Sequence, residues 1–91
     1  MIDKTLLGFL NLNEFIALDI ETTGLDPLKD KIIEISAVRF KGGVIKDKFS
    51  HLLNPEKKIS PFISELTGIT NDMVEGKPEF QDILSDFIRF V

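Results

Sequence analysis

The feature that most constrains this chain is a short apolar run that ends in two carboxylates, Phe15-Ile16-Ala17-Leu18-Asp19-Ile20-Glu21. A run of this length, bounded by turn residues, reads as a strand. Successive side chains alternate between faces, so Phe15 and Ala17 point one way and Ile16, Leu18 and Ile20 the other. Apolar residues in both sets predict a strand buried on both faces. Asp19 and Glu21 are two apart, so they leave the same face with Cα atoms roughly 6.5–7 Å apart. Carboxylates so placed can converge on one cation or bridge a pair of cations. Burying like charges at the end of an apolar strand is costly without a cationic partner. Taken alone, Asp-x-Glu at a strand end is also simply where a chain returns to solvent.

The segments that follow set the architecture. Thr22-Thr23-Gly24 and Asp26-Pro27 punctuate a loop. Lys31 to Phe40, rich in Ile and Val, predicts a second strand. Gly42-Gly43 predicts a two-residue hairpin, because that turn needs positive φ and glycine adopts it without strain. A third strand is expected from Val44 to Leu53, ended by Asn54-Pro55. Then the period changes. Ser60-Pro61 is an N-cap with proline at the first helical position, and Gly68 is a stop, which predicts a short helix over 61–67. Thr70 caps a further turn that ends before Gly76. From Pro78 onward, Phe80, Ile83, Leu84, Phe87, Ile88 and Val91 recur at helical spacing as one apolar stripe. Nothing in Phe90-Val91 stops that helix. The prediction is an α/β fold, a three-stranded antiparallel meander followed by helices, forming the front half of a larger domain. Residues 1–13 are read as a lead-in segment and 14–91 as the N-terminal part of the domain.

Composition adds exclusions. With no cysteine, disulfides, thiolate nucleophiles and zinc–thiolate sites are ruled out. Oxygen ligands without histidine or cysteine beside them favour Mg²⁺ or Mn²⁺ over zinc. The net charge of −4 argues against a surface that grips nucleic acid throughout, but not against a nuclease whose carboxylates hold divalent cations. No apolar run is long enough to span a membrane. The leucine-rich start lacks the basic leader and cleavage site of a signal peptide, so the chain reads as cytoplasmic.

Asp19 to Pro27, Asp-Ile-Glu-Thr-Thr-Gly-Leu-Asp-Pro, resembles the first motif of the DEDD-type 3′–5′ exonuclease superfamily, which includes the proofreading subunit of bacterial DNA polymerase III. Lys31 to Val38 is similar to that family's second strand, Phe49 to Pro55 to its third, and Leu66-Thr67-Gly68-Ile69-Thr70 to its nucleotide-side helix turn. The resemblance implies a ribonuclease H-like fold and two divalent ions. Asp19 and Glu21 would be the metal ligands and catalytic carboxylates. It places Thr22, Thr23 and Gly24 against the terminal nucleotide, and Leu25 and Leu66 against its base or sugar. Thr67 matches a position that is histidine in some relatives. By themselves, Gly24 is equally a turn glycine, and the two leucines are more often core. Glu34 reads as a strand carboxylate, His51 as structural, and Lys57 and Lys58 as a solvated loop.

The family's remaining aspartates and its histidine or tyrosine base have no counterpart among these residues, so the chain alone is expected to be inactive. The whole protein is expected to release nucleoside 5′-monophosphates from a single-stranded DNA or RNA 3′ end, with a polymerase or helicase fused or separate. The alternative is a non-catalytic nucleic-acid-binding or protein-interaction module built on the same half-fold.

Overall fold

The computed structural model describes residues 13–91; the expected lead-in segment, apart from Asn13, lies outside the described residues. Three antiparallel strands come first, β1 (Glu14–Thr22), β2 (Ile32–Lys41) and β3 (Val44–Leu52), in sheet order β1-β2-β3. Helices α1 (Pro61–Thr67), α2 (Asn71–Val74) and α3 (Phe80–Phe90) follow. The meander and the helices after it match the expected fold class.

Local signals account for most boundaries. Gly42 and Gly43 both sit at positive φ, 61° and 78°, which matches the right-handed twist of the strands they join. The Ser60 side chain accepts from the Ile63 amide at the start of α1, and Gly68 closes that helix at φ 78°. At the start of α3, the Glu79 amide donates to the Asp82 carboxylate. The sheet has two irregularities. Arg39 faces Asp47 and Phe40 faces Ile45, which leaves Lys46 as the extra residue of a bulge in β3. Glu21 faces Glu34 and Thr22 faces Ile32, which leaves Ile33 as the extra residue in β2, beside the end of the carboxylate strand.

The core lies on one side of the sheet and at one end. Across β2 and β3, α3 sets Ile83 against Ile35 and Leu53, with Phe87 and Phe49 packed alongside. The Arg39 guanidinium donates to the Phe90 carbonyl and stacks over the Phe90 ring, so the last turn of α3 is tied to β2. At the sheet end, Ile33 packs with Ile59, Ile69 and Val74, and Leu52 and Ile63 join them. Burying side chains as completely as Ile33, Ile35 and Leu53 stabilises the fold by roughly 1.5–3 kcal/mol each.

One expectation is corrected. β1 is not buried on both faces: Leu18 is 51% and Ile20 40% exposed. The register puts Leu18 beside Ala37 and Phe49, and Ile20 beside Ile35 and His51, on the side that α3 covers. The helix packs over β2 and β3, so the edge strand lies beyond its reach. Its stripe is likewise only half used. Ile83 is buried and Phe80 and Phe87 are half-buried, while Leu84, Ile88 and Val91 stay exposed.

Candidate metal and nucleotide site

The face of β1 opposite α3 carries the carboxylates. Asp19 pairs across the sheet with Ser36 and, beyond it, Ser50. Directly opposed residues share a face, so short hydroxyl side chains flank Asp19 and leave it open to solvent. Glu21, half-buried, pairs with Glu34. Two like charges set directly opposite destabilise a sheet unless a cation intervenes. Among the described residues, no three histidine, cysteine, aspartate or glutamate side chains gather closely enough to hold a metal ion. Asp19 and Glu21 are two carboxylates on one face rather than a closed cage; oxygen donors of this kind would suit Mg²⁺ or Mn²⁺. His51 is on the other face, edge-on to Phe49 at 4.8 Å between ring centroids, in the structural position expected of it.

The turn after β1 is built from side chains. Thr22 donates through Oγ1 to the Gly24 carbonyl at 2.6 Å. Thr23 is only 8% exposed; its Oγ1 donates to Asp30 Oδ1 at 2.8 Å and accepts from the Lys31 amide at 3.0 Å. Thr23 and Lys31 also pair through their backbones. Gly24 is not at positive φ among the described glycines that are. Its requirement is space, because a Cβ would lie 2.5 Å from Asp30 Oδ2. The close approach that selects glycine is thus made, within this chain, by the Asp30 carboxylate.

The remaining nominated residues divide in two. Leu25 is fully exposed and Leu66 is 70% exposed on α1, so neither is a core leucine among the described residues. Thr67 is half-buried and its hydroxyl is engaged locally, donating to the Ile63 carbonyl and accepting from the Ile69 amide. It shapes the end of α1.

Sequence reasoning missed Asp30 and the pairing of Lys57 with it. Asp30 Oδ2 accepts from the Asp26 amide at 2.8 Å, and Oδ1 accepts from Lys57 Nζ at 3.3 Å as well as from Thr23. Lys57 also donates to the Lys29 carbonyl, so this exposed lysine is paired as well as solvated. The Asp26 amide, then the Thr23 hydroxyl, hold the Asp30 carboxyl below the ordinary aspartate range; burial opposes them and Lys57 adds to them. An aspartate just before a strand and six residues after the glycine was a visible signal. Its lysine partner, 27 residues away, was not.

The Exonuclease family model RNase_T matches residues 16–91, the span that carries this strand, carboxylate face and turn. The chain belongs to this exonuclease family. It is 48% identical over 77 residues to the PolC-type DNA polymerase III of Thermotoga maritima, covering 85% of this chain and 6% of that protein. To the DNA polymerase III subunit epsilon of Aquifex aeolicus it is 44% identical over 77 residues, covering 85% of this chain and 38% of the relative. Among solved structures, exonuclease X in complex with 5′-overhanging duplex DNA aligns with a TM-score of 0.68 at 35% identity, covering 79% of this chain and 42% of that one. The nuclease domain of 3′hExo, a DEDDh family member bound to rAMP, aligns with a TM-score of 0.75 at 27% identity, covering 86% and 43%. The described residues therefore form part of a ribonuclease H-like exonuclease domain.

Proposed function

We propose that this chain supplies the first metal ligands and part of the nucleotide seat of a 3′–5′ exonuclease acting on single-stranded DNA or RNA ends. The carrying observation is that Asp19 and Glu21 share one uncovered face of β1, immediately before a turn locked by its own side chains. DEDDh exonucleases depend on divalent metal, and the facing pair Glu21 and Glu34 favours a cation in the same place. Mg²⁺ or Mn²⁺ held there would activate water and stabilise the leaving 3′ oxygen. In this reading Thr22, Thr23 and Gly24 shape the backbone against the terminal nucleotide. Exposed Leu25 and Leu66 pack on its base or sugar, and Thr67 fixes the end of α1. The PolC-type relatives favour a polymerase as partner or fused neighbour. Among the described residues no helix is long and apolar enough to cross a membrane.

The test is Mg²⁺-dependent release of mononucleotides from a single-stranded 3′ end by the whole protein. Replacing Asp19→Ala should lower kcat on the order of 10³-fold, since one metal-held carboxylate accounts for several kcal/mol of charge stabilisation. The 91-residue chain alone should show no turnover. Tight binding of the oligonucleotide with no release, unaffected by Asp19→Ala, would instead favour a non-catalytic binding module.

A further inference from the structure

We propose that Asp30 is a positioning residue for the nucleotide seat, a latch that joins the turn after β1 to the loop that leads into α1. This inference rests on the exonuclease reading above and extends it to residues that reading does not use.

Three donors from two segments meet at one carboxylate. Asp30 Oδ1 takes the Thr23 hydroxyl at 2.8 Å and the Lys57 ammonium at 3.3 Å, and Oδ2 takes the Asp26 amide at 2.8 Å. Thr23 and Asp26 bracket Gly24 and Leu25, the part of the turn assigned to the terminal nucleotide. Lys57 precedes α1, the helix that presents Leu66. The Asp30 amide donates back to the Asp26 carbonyl at 2.8 Å, so the loop closes on itself from both ends of the residue. The carboxylate lies so near Gly24 that no side chain fits between them. The backbone of the turn thus rests on Asp30 as well as on its backbone pairing with Lys31. Its side chain is half-buried and accepts charge-assisted bonds, which makes the geometry stiffer than a neutral network would. A turn held this way presents its outer surface pre-formed, and pre-organisation of a binding loop is read mainly in substrate affinity.

Replacing the carboxylate by an amide separates this role from the metal site. In Asp30→Asn one position turns from acceptor to donor and opposes either the Asp26 amide or the Lys57 ammonium. In the full-length protein, with Mg²⁺ and a single-stranded oligonucleotide, Asp30→Asn is expected to raise KM about tenfold with kcat within about twofold of wild type. Thr23→Val should move KM the same way, and Thr23→Ser, which keeps the hydroxyl, should restore it. Lys57→Met removes the arm that is furthest exposed and should raise KM by about two- to threefold with the fold intact. A fall in kcat at unchanged KM, or wild-type kinetics in both Asp30→Asn and Lys57→Met, overturns the latch. So does loss of both parameters together with the thermal transition in every variant, which would make Asp30 a residue of general stability. No release by wild type sinks the exonuclease reading itself, whereas release by wild type with unaltered variants sinks only the latch.

Discussion

The two turns of the sheet are built on opposite principles. Gly42-Gly43 joins β2 to β3 through backbone conformation: both glycines occupy the left-handed region, and a Cβ added at Gly42 would meet nothing within 4 Å. The connection from β1 to β2 is built from side chains, with Thr22, Thr23, Asp26, Asp30 and Lys57 all bonded within it or across it. A turn that only reverses the chain needs two permissive residues. A turn that must hold a particular surface beside Asp19 and Glu21 needs a network that over-determines its path.

Breaking the second turn should therefore cost function, and breaking the first should not. After the loss expected for Asp19→Ala, the largest effect should come from Gly24→Ala. Its new methyl would sit against the Asp30 carboxylate, a collision of the kind that costs about 1–3 kcal/mol. Activity should fall with it, read as kcat/KM beside thermal unfolding. Gly42→Ala should cost roughly 1–2 kcal/mol of backbone strain and leave kcat/KM as it is. If Gly42→Ala impairs activity as much as Gly24→Ala, the contrast between the turns fails.

Acid sharpens the same comparison. The Asp30 carboxyl is held below the ordinary aspartate value by Asp26, Thr23 and Lys57, so it binds a proton less readily folded than unfolded. Its contribution is fully present above the unfolded value of about 3.9 and is lost as pH falls through the lower folded value. Hydrogen-exchange protection of the Asp26 amide, measured relative to a hairpin amide such as Val44, should hold constant above that range and drop only below it. Asp30→Asn should abolish the pH dependence. The smallest effect is expected at Lys58, which is exposed: Lys58→Ala should stay within about 0.5 kcal/mol of wild type. Lys57→Ala should be the larger of the two.

What was legible in the sequence was local. Strand β1, the glycine hairpin, Ser60 as N-cap, Gly68 as C-cap and the stripe of α3 each follow from residues within a few positions of one another, because period, φ and capping act over that range. Asp19 and Glu21 could be placed on one face by the same rule, and the motif around them pointed to the family that the comparisons then showed. Two features of the sheet required the assembled chain. Leu18 and Ile20 carry an apolar pattern that promised burial, yet α3 crosses β2 and β3 and leaves them exposed. Glu21 and Glu34 face each other through the register of β1 against β2, which runs unbroken from Glu14–Lys41 to this pair and shifts only beyond it.

Asp30 and Lys57 show the division most clearly. Composition and spacing determined that this chain would make a meander with a carboxylate pair at the end of its first strand, since alternation along a strand is a property of the strand alone. Tertiary structure decided which glycine was needed for space rather than for φ, and which of two exposed lysines was paired. Contacts between residues 27 positions apart depend on how two loops are brought together, and no periodicity in the chain encodes that distance.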